Sequence, residues 1–138
     1  MHDLVSYNGT VISASDALIA ALSAAALYGK GVFTTVAVEG GHTDWWPEHW
    51  SRISQDAKKL GIDIGAYNEA SILAEIDRLL SANSVDRGKV RVSLFDDSPN
   101  ALWLADIPDG TSTMIATSDR PPPADYFRLT ISPCLVNS

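Results

Sequence analysis

The chain has 138 residues, of which 46% are apolar, and this length and composition fit one globular domain with a substantial core. Its formal net charge of −7 argues against nucleic acid and against an anionic membrane as partners. The single cysteine, Cys134, excludes an internal disulfide. The chain shows neither a signal-peptide pattern nor an apolar run long enough to span a bilayer. We therefore expect a cytoplasmic, acidic α/β domain.

The first predicted element is a tight hairpin. Strand-forming residues at 4–7 and 10–12 flank Asn8-Gly9, a dipeptide that tolerates the positive φ angles of a type I′ turn. The next segment, 13–26, is ambiguous. Its alanines and leucines favour a helix, but its apolar residues leave no polar face for a surface helix.

The central part of the chain predicts a turn, a strand and a helix. The turn is Tyr28-Gly29-Lys30-Gly31, and the β-branched residues of 32–39 then predict a strand. After a Gly40-Gly41 turn and a short return strand, Pro47 suits the first position of a helix. The apolar face of that helix recurs at three- and four-residue spacing, and Arg52 lies at its rim.

The second half of the chain predicts another helix and further strands. The helix runs from about Glu69 to Asn83, with Asn68 as its cap, and a strand follows at 89–95. Arg91 alternates onto the face of that strand opposite its valines. Further strands are predicted at 102–107, 113–117 and 126–136. The adjacent carboxylates Asp96 and Asp97 are expected in a solvated turn.

Several kinds of site have no pattern here. The three histidines and the cysteine are scattered, so we expect no metal site. A nucleophile elbow, a P-loop and a dinucleotide-binding glycine pattern are all missing.

Three segments together resemble one enzyme family. They are ALIAALSAAALYGKGVF at 17–33, EHWSR followed by AKKLGI within 48–62, and GKVRV at 88–92. The second is similar to the pattern H-x-x-R-L…S-A-x-x-L-G-I of class IV aminotransferases, the pyridoxal-phosphate enzymes of fold type IV. That family includes branched-chain aminotransferase, D-amino-acid aminotransferase and aminodeoxychorismate lyase. The resemblance extends over the whole chain.

The resemblance implies an α/β (α+β) fold, namely the small N-terminal domain of such an enzyme. That domain is a mostly antiparallel sheet with two helices packed on it, and here it would span 1–117. Residues 118–125, which contain three consecutive prolines, would form the interdomain linker. Residues 126–138 would be the first strand of the large domain. By the same analogy, 17–27 is mostly extended with a short turn.

The resemblance also implies roles for particular side chains. Arg52 would bind the phosphate of pyridoxal 5'-phosphate and would face an open cleft, although the alternative is a surface ion pair with a neighbouring carboxylate on the helix. Tyr28, Phe33 and Thr35 would line the substrate pocket, and Arg91 would meet a substrate carboxylate. The aromatic residues could instead be ordinary core, and Arg91 an exposed strand cation.

No catalytic residue is expected within this chain. The lysine that forms a Schiff base with the cofactor should follow shortly after Ser138, so the fragment alone should be inactive. By resemblance the active site is completed in a homodimer, and the substrates are an amino acid and a 2-oxo acid.

Two other functions stay open at this point. Thr34, Thr35 and Ala37 are more similar to aminodeoxychorismate lyase, which acts in 4-aminobenzoate and folate synthesis, than to the transaminases. Departures from the family pattern at Ser23, Ala24 and Lys30 leave room for a non-catalytic binding or interaction domain with the same fold.

Overall fold

The structure, a computed structural model, describes residues 1–99 and 110–120. These residues form one six-stranded sheet in which every neighbouring pair is antiparallel. The strands are β1 (Leu4–Tyr7), β2 (Thr10–Ser13), β3 (Gly31–Glu39), β4 (His42–Thr43), β5 (Gly88–Asp96) and β6 (Thr111–Asp119), in the spatial order β2-β1-β6-β5-β3-β4. The helices are α1 (Ala24–Tyr28), α2 (Trp46–Lys59) and α3 (Glu69–Ala82). The predicted fold class is confirmed.

The two-residue turns match their sequences. Asn8 and Gly9 both have positive φ, 48° and 78°, which closes the β1–β2 hairpin as predicted. Gly40 and Gly41 do the same between β3 and β4, with φ values of 59° and 74°. The pairing of β3 with β4 extends over only Val38 and Glu39 of β3.

The two long helices begin in different ways. α3 starts with a capping box, in which Asn68 accepts from the Ser71 N–H and the Ser71 hydroxyl accepts from the Asn68 N–H. α2 starts after Trp45, which lies in the left-handed region at φ 57° and provides no side-chain cap. The first N–H groups of α2 therefore receive no side-chain oxygen from the N-cap position.

The core lies between the helices and one face of the sheet. α2 packs on β3, and α3 packs on β1 and β6. Strand alternation supplies the sheet side of the core, and the apolar stripes of α2 and α3 supply the other side. The fully buried residues include Val36, Val38, Val90, Val92, Leu94 and Ile115 from the sheet and Ile53, Ile72, Ile76 and Leu79 from the helices. We call the opposite side of the sheet the outer face.

The ambiguous segment differs from both interpretations of its sequence. Residues 14–16 form one 3-10 turn, and α1 then forms a helix of only five residues. The expectation that 17–27 is mostly extended with a short turn is therefore wrong for 24–27, which are helical. Ser23 explains the helix, since its hydroxyl accepts from the Ala26 N–H at 3.2 Å, and Gly29 ends it at φ 64°.

Some predicted features fall where the structure describes nothing. The predicted strands at 102–107 and 126–136 and most of the predicted linker lie outside the described residues. In the part of the chain that is described, no helix is long and apolar enough to cross a bilayer.

Candidate functional site

The β3 strand divides the predicted site residues between the two faces of the sheet. Phe33 and Thr35 lie on the outer face, where Phe33 is 56% exposed. Thr34, between them, is only 1% exposed because its side chain points toward α2. This alternation of side chains follows directly from the pleat of a strand.

Arg52 on α2 is exposed and is held by the buried threonine. Its Nη2 donates to Thr34 Oγ1 at 2.6 Å. Within the described ranges it makes no ion pair with a helix carboxylate, and Asp56 pairs instead with Lys59 at 3.3 Å. The guanidinium has five N–H donors, so a single bond to Thr34 leaves most of them available to an external anion.

A groove of about 210 Å³ lies beside Arg52 and is lined by Trp45, Glu48, His49 and Arg52. It follows the first two turns of α2, whose positive dipole end favours anions. Burial and the positive charge of Arg52 lower the pKa of His49, and Glu48 opposes them. The groove therefore offers a fixed cation and a neutral imidazole, next to one carboxylate.

The outer face carries a second cation. The guanidinium of Arg91 lies over the ring of Phe33, 3.6 Å from the ring centroid, a cation–π contact. Thr35 is directly opposite Arg91 in the β3–β5 register. A cavity of about 200 Å³ adjoins Phe33 and Arg91, and its other lining residues are Ala25, Gly29, Gly31, Val32, Ser93, Leu94 and Phe95.

The structure thus brings three of the five predicted site residues together. Phe33, Thr35 and Arg91 share the outer face. Tyr28 is the last residue of α1, 64% exposed, just before the Gly29 turn. Arg52 lies on the other side of β3. The residue predicted to bind the phosphate and the residues predicted to bind substrate therefore lie on opposite sides of that strand. The roles of all five residues stay predictions.

One expectation about carboxylates is wrong. Asp96 is not in a solvated turn but is 6% exposed and forms an ion pair with Lys30, with Nζ 2.8 Å from Oδ2. The antiparallel pairing of β3 with β5 places Gly31 opposite Phe95, which brings these two strand ends together. Ser98 also donates to Asp96, through its N–H and its hydroxyl. Burial raises the pKa of Asp96, but the hydrogen bonds from Lys30 and Ser98 outweigh it, and the net pKa is lowered.

Sequence reasoning overlooked Thr34 and His49 as site residues. A signal for both was present. His49 precedes Arg52 by three residues and so shares its helix face, and Thr34 is the one polar residue on the inner face of β3. The sequence pattern could not predict that β3 and α2 are in contact at these residues.

The comparison with known proteins decides the family. The family model "Amino-transferase class IV" matches residues 31–137. This chain belongs to that family. No curated protein sequence matches it.

Solved structures share the fold of this class IV chain. Branched-chain amino acid aminotransferase from Escherichia coli matches with a TM-score of 0.75 and 20% identity, over 86% of this chain and 41% of that chain. The branched-chain aminotransferase of the thermophilic archaeon Thermoproteus uzoniensis, with norvaline, gives 0.73 and 22%, over 84% and 40%. The 4-amino-4-deoxychorismate lyase from Pseudomonas aeruginosa gives 0.68 and 19%, over 86% and 40%. This chain therefore spans about 40% of the length of the structures it matches.

Proposed function

We propose that this chain forms the phosphate-binding side of a pyridoxal-phosphate-dependent aminotransferase, which moves an amino group between an amino acid and a 2-oxo acid. The observation that carries the proposal is the exposed Arg52, held by a neutral threonine at a helix N-terminal groove in a class IV chain. Another similar structure, a branched-chain amino acid aminotransferase with pyridoxamine 5'-phosphate, supports the choice of cofactor.

The residues of the groove fit a phosphate. Arg52 can make two parallel, charge-assisted hydrogen bonds to phosphate oxygens because its bond to Thr34 uses only Nη2. The uncapped start of α2 adds a favourable dipole. Glu48 opposes an anion, but its side chain is exposed, so solvent screens its charge.

The lysines of the chain do not fit the amine chemistry of this cofactor. Lys30 is engaged by Asp96. The other three, Lys58, Lys59 and Lys89, are all exposed. A lysine that attacks a carbonyl needs a pKa depressed by burial or by a nearby cation. In our proposal that lysine comes from residues beyond this sequence, and this chain alone is inactive.

On the outer face, the chain would recognise substrate. The Arg91 guanidinium is fixed by the Phe33 ring and would bind a substrate carboxylate, with Thr35 opposite it in the β3–β5 register. In this proposal Tyr28 is a further lining residue. Bound pyridoxal phosphate supplies the electron sink that the reaction requires. The residues of this chain hold and orient the cofactor and the substrate around β3, and a second copy of the protein would complete the site as a homodimer.

A second candidate is elimination of pyruvate from aminodeoxychorismate. It is favoured by the Thr34 contact, because the residue after Phe33 is here a neutral hydroxyl bonded to Arg52 and not the glutamate usual in transaminases. The non-catalytic alternative loses support, since the three residues that depart from the family pattern have structural roles. Ser23 caps α1, Ala24 is buried, and Lys30 pairs with Asp96.

The test compares pyridoxamine 5'-phosphate with pyridoxamine, which differ only in the phosphate. In a nuclear magnetic resonance titration, the wild-type chain should prefer the phosphorylated compound, with shifts centred on the groove. Arg52→Ala should weaken its binding about tenfold, because an exposed charge-assisted pair contributes less than the roughly 2–4 kcal/mol expected in a closed full-length site.

Arg78→Ala is the matched control, since Arg78 is an exposed helix arginine on α3 that does not line the groove. It should bind both compounds as the wild type does. Equal affinity of the wild-type chain for the two compounds would contradict the proposed phosphate site.

A further inference from the structure

The Thr34 hydroxyl joins β3 to two side chains of α2. Thr34 is 1% exposed and is paired in register with Val92 of β5. Its Oγ1 lies 2.6 Å from Arg52 Nη2 and 2.6 Å from His49 Nδ1. The two partners are separated by one helical turn, so one buried oxygen holds two side chains of the groove.

The direction of these hydrogen bonds follows from the chemistry of the groups. A guanidinium can only donate, so Thr34 Oγ1 must accept from Arg52. If His49 Nδ1 also donated, the hydroxyl proton of Thr34 would be left in a buried position with neither of these groups able to accept it. A buried donor without a partner is costly, so the hydroxyl donates to Nδ1.

This direction fixes the state of His49. An Nδ1 atom that accepts carries no proton, so the ring is neutral and its proton sits on Nε2. Among the described residues Nε2 has no hydrogen-bond partner, and His49 lines the groove together with Arg52. Independently, burial and the charge of Arg52 lower the pKa of His49, which also favours the neutral ring.

We propose that Thr34 and His49 are positioning residues in a directed relay, Arg52 to Thr34 to His49, which fixes the guanidinium and presents the Nε2–H of His49 as a second donor to the same anion. This inference rests on the proposed phosphate site at Arg52. It adds that the site has two donors, one charged and one neutral, whose geometry is set by a single threonine of β3.

The first experiment needs neither a ligand nor a variant. The long-range proton–nitrogen spectrum of the histidine rings distinguishes the two neutral tautomers from each other and from the protonated ring. At neutral pH, His49 in the wild-type chain should show the Nε2–H tautomer. The Nδ1–H tautomer or a protonated ring would overturn the relay, whatever phosphate binding shows.

The second experiment tests the positioning with inorganic phosphate as the probe. Thr34→Val keeps the branched shape but removes the hydroxyl, so it should mix the His49 tautomers and weaken phosphate binding by about three- to tenfold, the range for losing an ordered donor in a partly exposed site. Thr34→Ser restores the hydroxyl and should recover the wild-type tautomer and most of the affinity.

Thr113→Val provides the control for removing a buried threonine hydroxyl. Thr113 is fully buried on β6, two strands away from β3. Its replacement should change neither the His49 tautomer nor the phosphate affinity. Unchanged phosphate affinity in Thr34→Val, with Arg52→Ala weakened, would overturn the relay while the phosphate site stands. Absence of any phosphate binding by the wild-type chain would overturn the proposed site and, with it, the anion-binding role of His49.

Discussion

Two adjacent threonines of β3 show how strand alternation separates roles. Thr34 is buried and bonds to Arg52 and His49 on the inner face, whereas Thr35 is exposed opposite Arg91 on the outer face. A one-residue slip in register would exchange their positions and remove both sets of contacts. The two cations of the proposed site therefore depend on one strand register.

The Lys30–Asp96 pair gives a residue-scale prediction. Asp96→Asn should lower the free energy of unfolding by about 1–3 kcal/mol, because Lys30 would lose the partner of a mostly buried ion pair, although Lys30 itself is 30% exposed and partly screened. Chemical denaturation measures the loss. Asp56→Asn, at an exposed pair with Lys59, should cost less than about 0.5 kcal/mol.

The same pair has a defined pH dependence. The pKa of Asp96 is lowered from 3.8 in the folded chain, so the unfolded chain binds more protons there. The stabilisation is present above pH 3.8 and is lost as the pH falls through the lowered value. The stability of Asp96→Asn should therefore depend less on pH in the acid range. An unchanged loss of stability with falling pH would contradict the role of the pair.

At the scale of elements, local patterns predicted what is local. The Asn8-Gly9 hairpin and the Asn68 cap of α3 appear at the expected residues. The packing of α2 on β3 and the pairing of β3 with β5 each join separate segments of the chain, and no local pattern encodes either contact. For this reason the sequence could suggest Arg52 but could not reveal its contact with Thr34, or the burial of Asp96.

The packing of α3 on the first hairpin gives an element-scale prediction. Glu75 on α3 is 8% exposed and accepts from the Ser6 hydroxyl at 3.3 Å. Burial raises its pKa above 4.5, and the hydrogen bond from Ser6, the charge of Arg78 and the Gly9 backbone only partly offset this. The folded chain thus binds this proton more tightly, so the contribution of Glu75 to stability is greatest below pH 4.5 and falls as the pH rises through the raised value.

Glu75→Gln removes that titration. The variant should gain stability relative to the wild type as the pH is raised from about 4 to 7, measured as the difference between two series of denaturation midpoints. Asp77→Asn, at an exposed site on the same helix, should leave the profile of the wild type unchanged. If the denaturation midpoints of Glu75→Gln and the wild type differed by the same amount at every pH in this range, the burial argument would be contradicted.

At the scale of the whole molecule, one segment exposes an unusual amount of apolar surface. Leu18 is 75% exposed and Leu22 47%, and Ile19, Tyr28 and Phe33 are also exposed. All five precede or begin β3 in the sequence. Exposed apolar side chains concentrated in one segment are typical of an interaction surface, and here they support the proposed homodimer.

The chain should therefore self-associate through residues 18–33. Sedimentation velocity over a range of concentrations should show a monomer–dimer equilibrium, and replacing both Leu18 and Leu22 with serine should weaken it at least about tenfold, because each buried leucine contributes roughly 1.5–3 kcal/mol. Leu60→Ser is the matched control, since Leu60 is similarly exposed, at 50%, but lies at the end of α2. A monomer at every concentration would contradict the dimer, and equal weakening by the control would place the interface elsewhere.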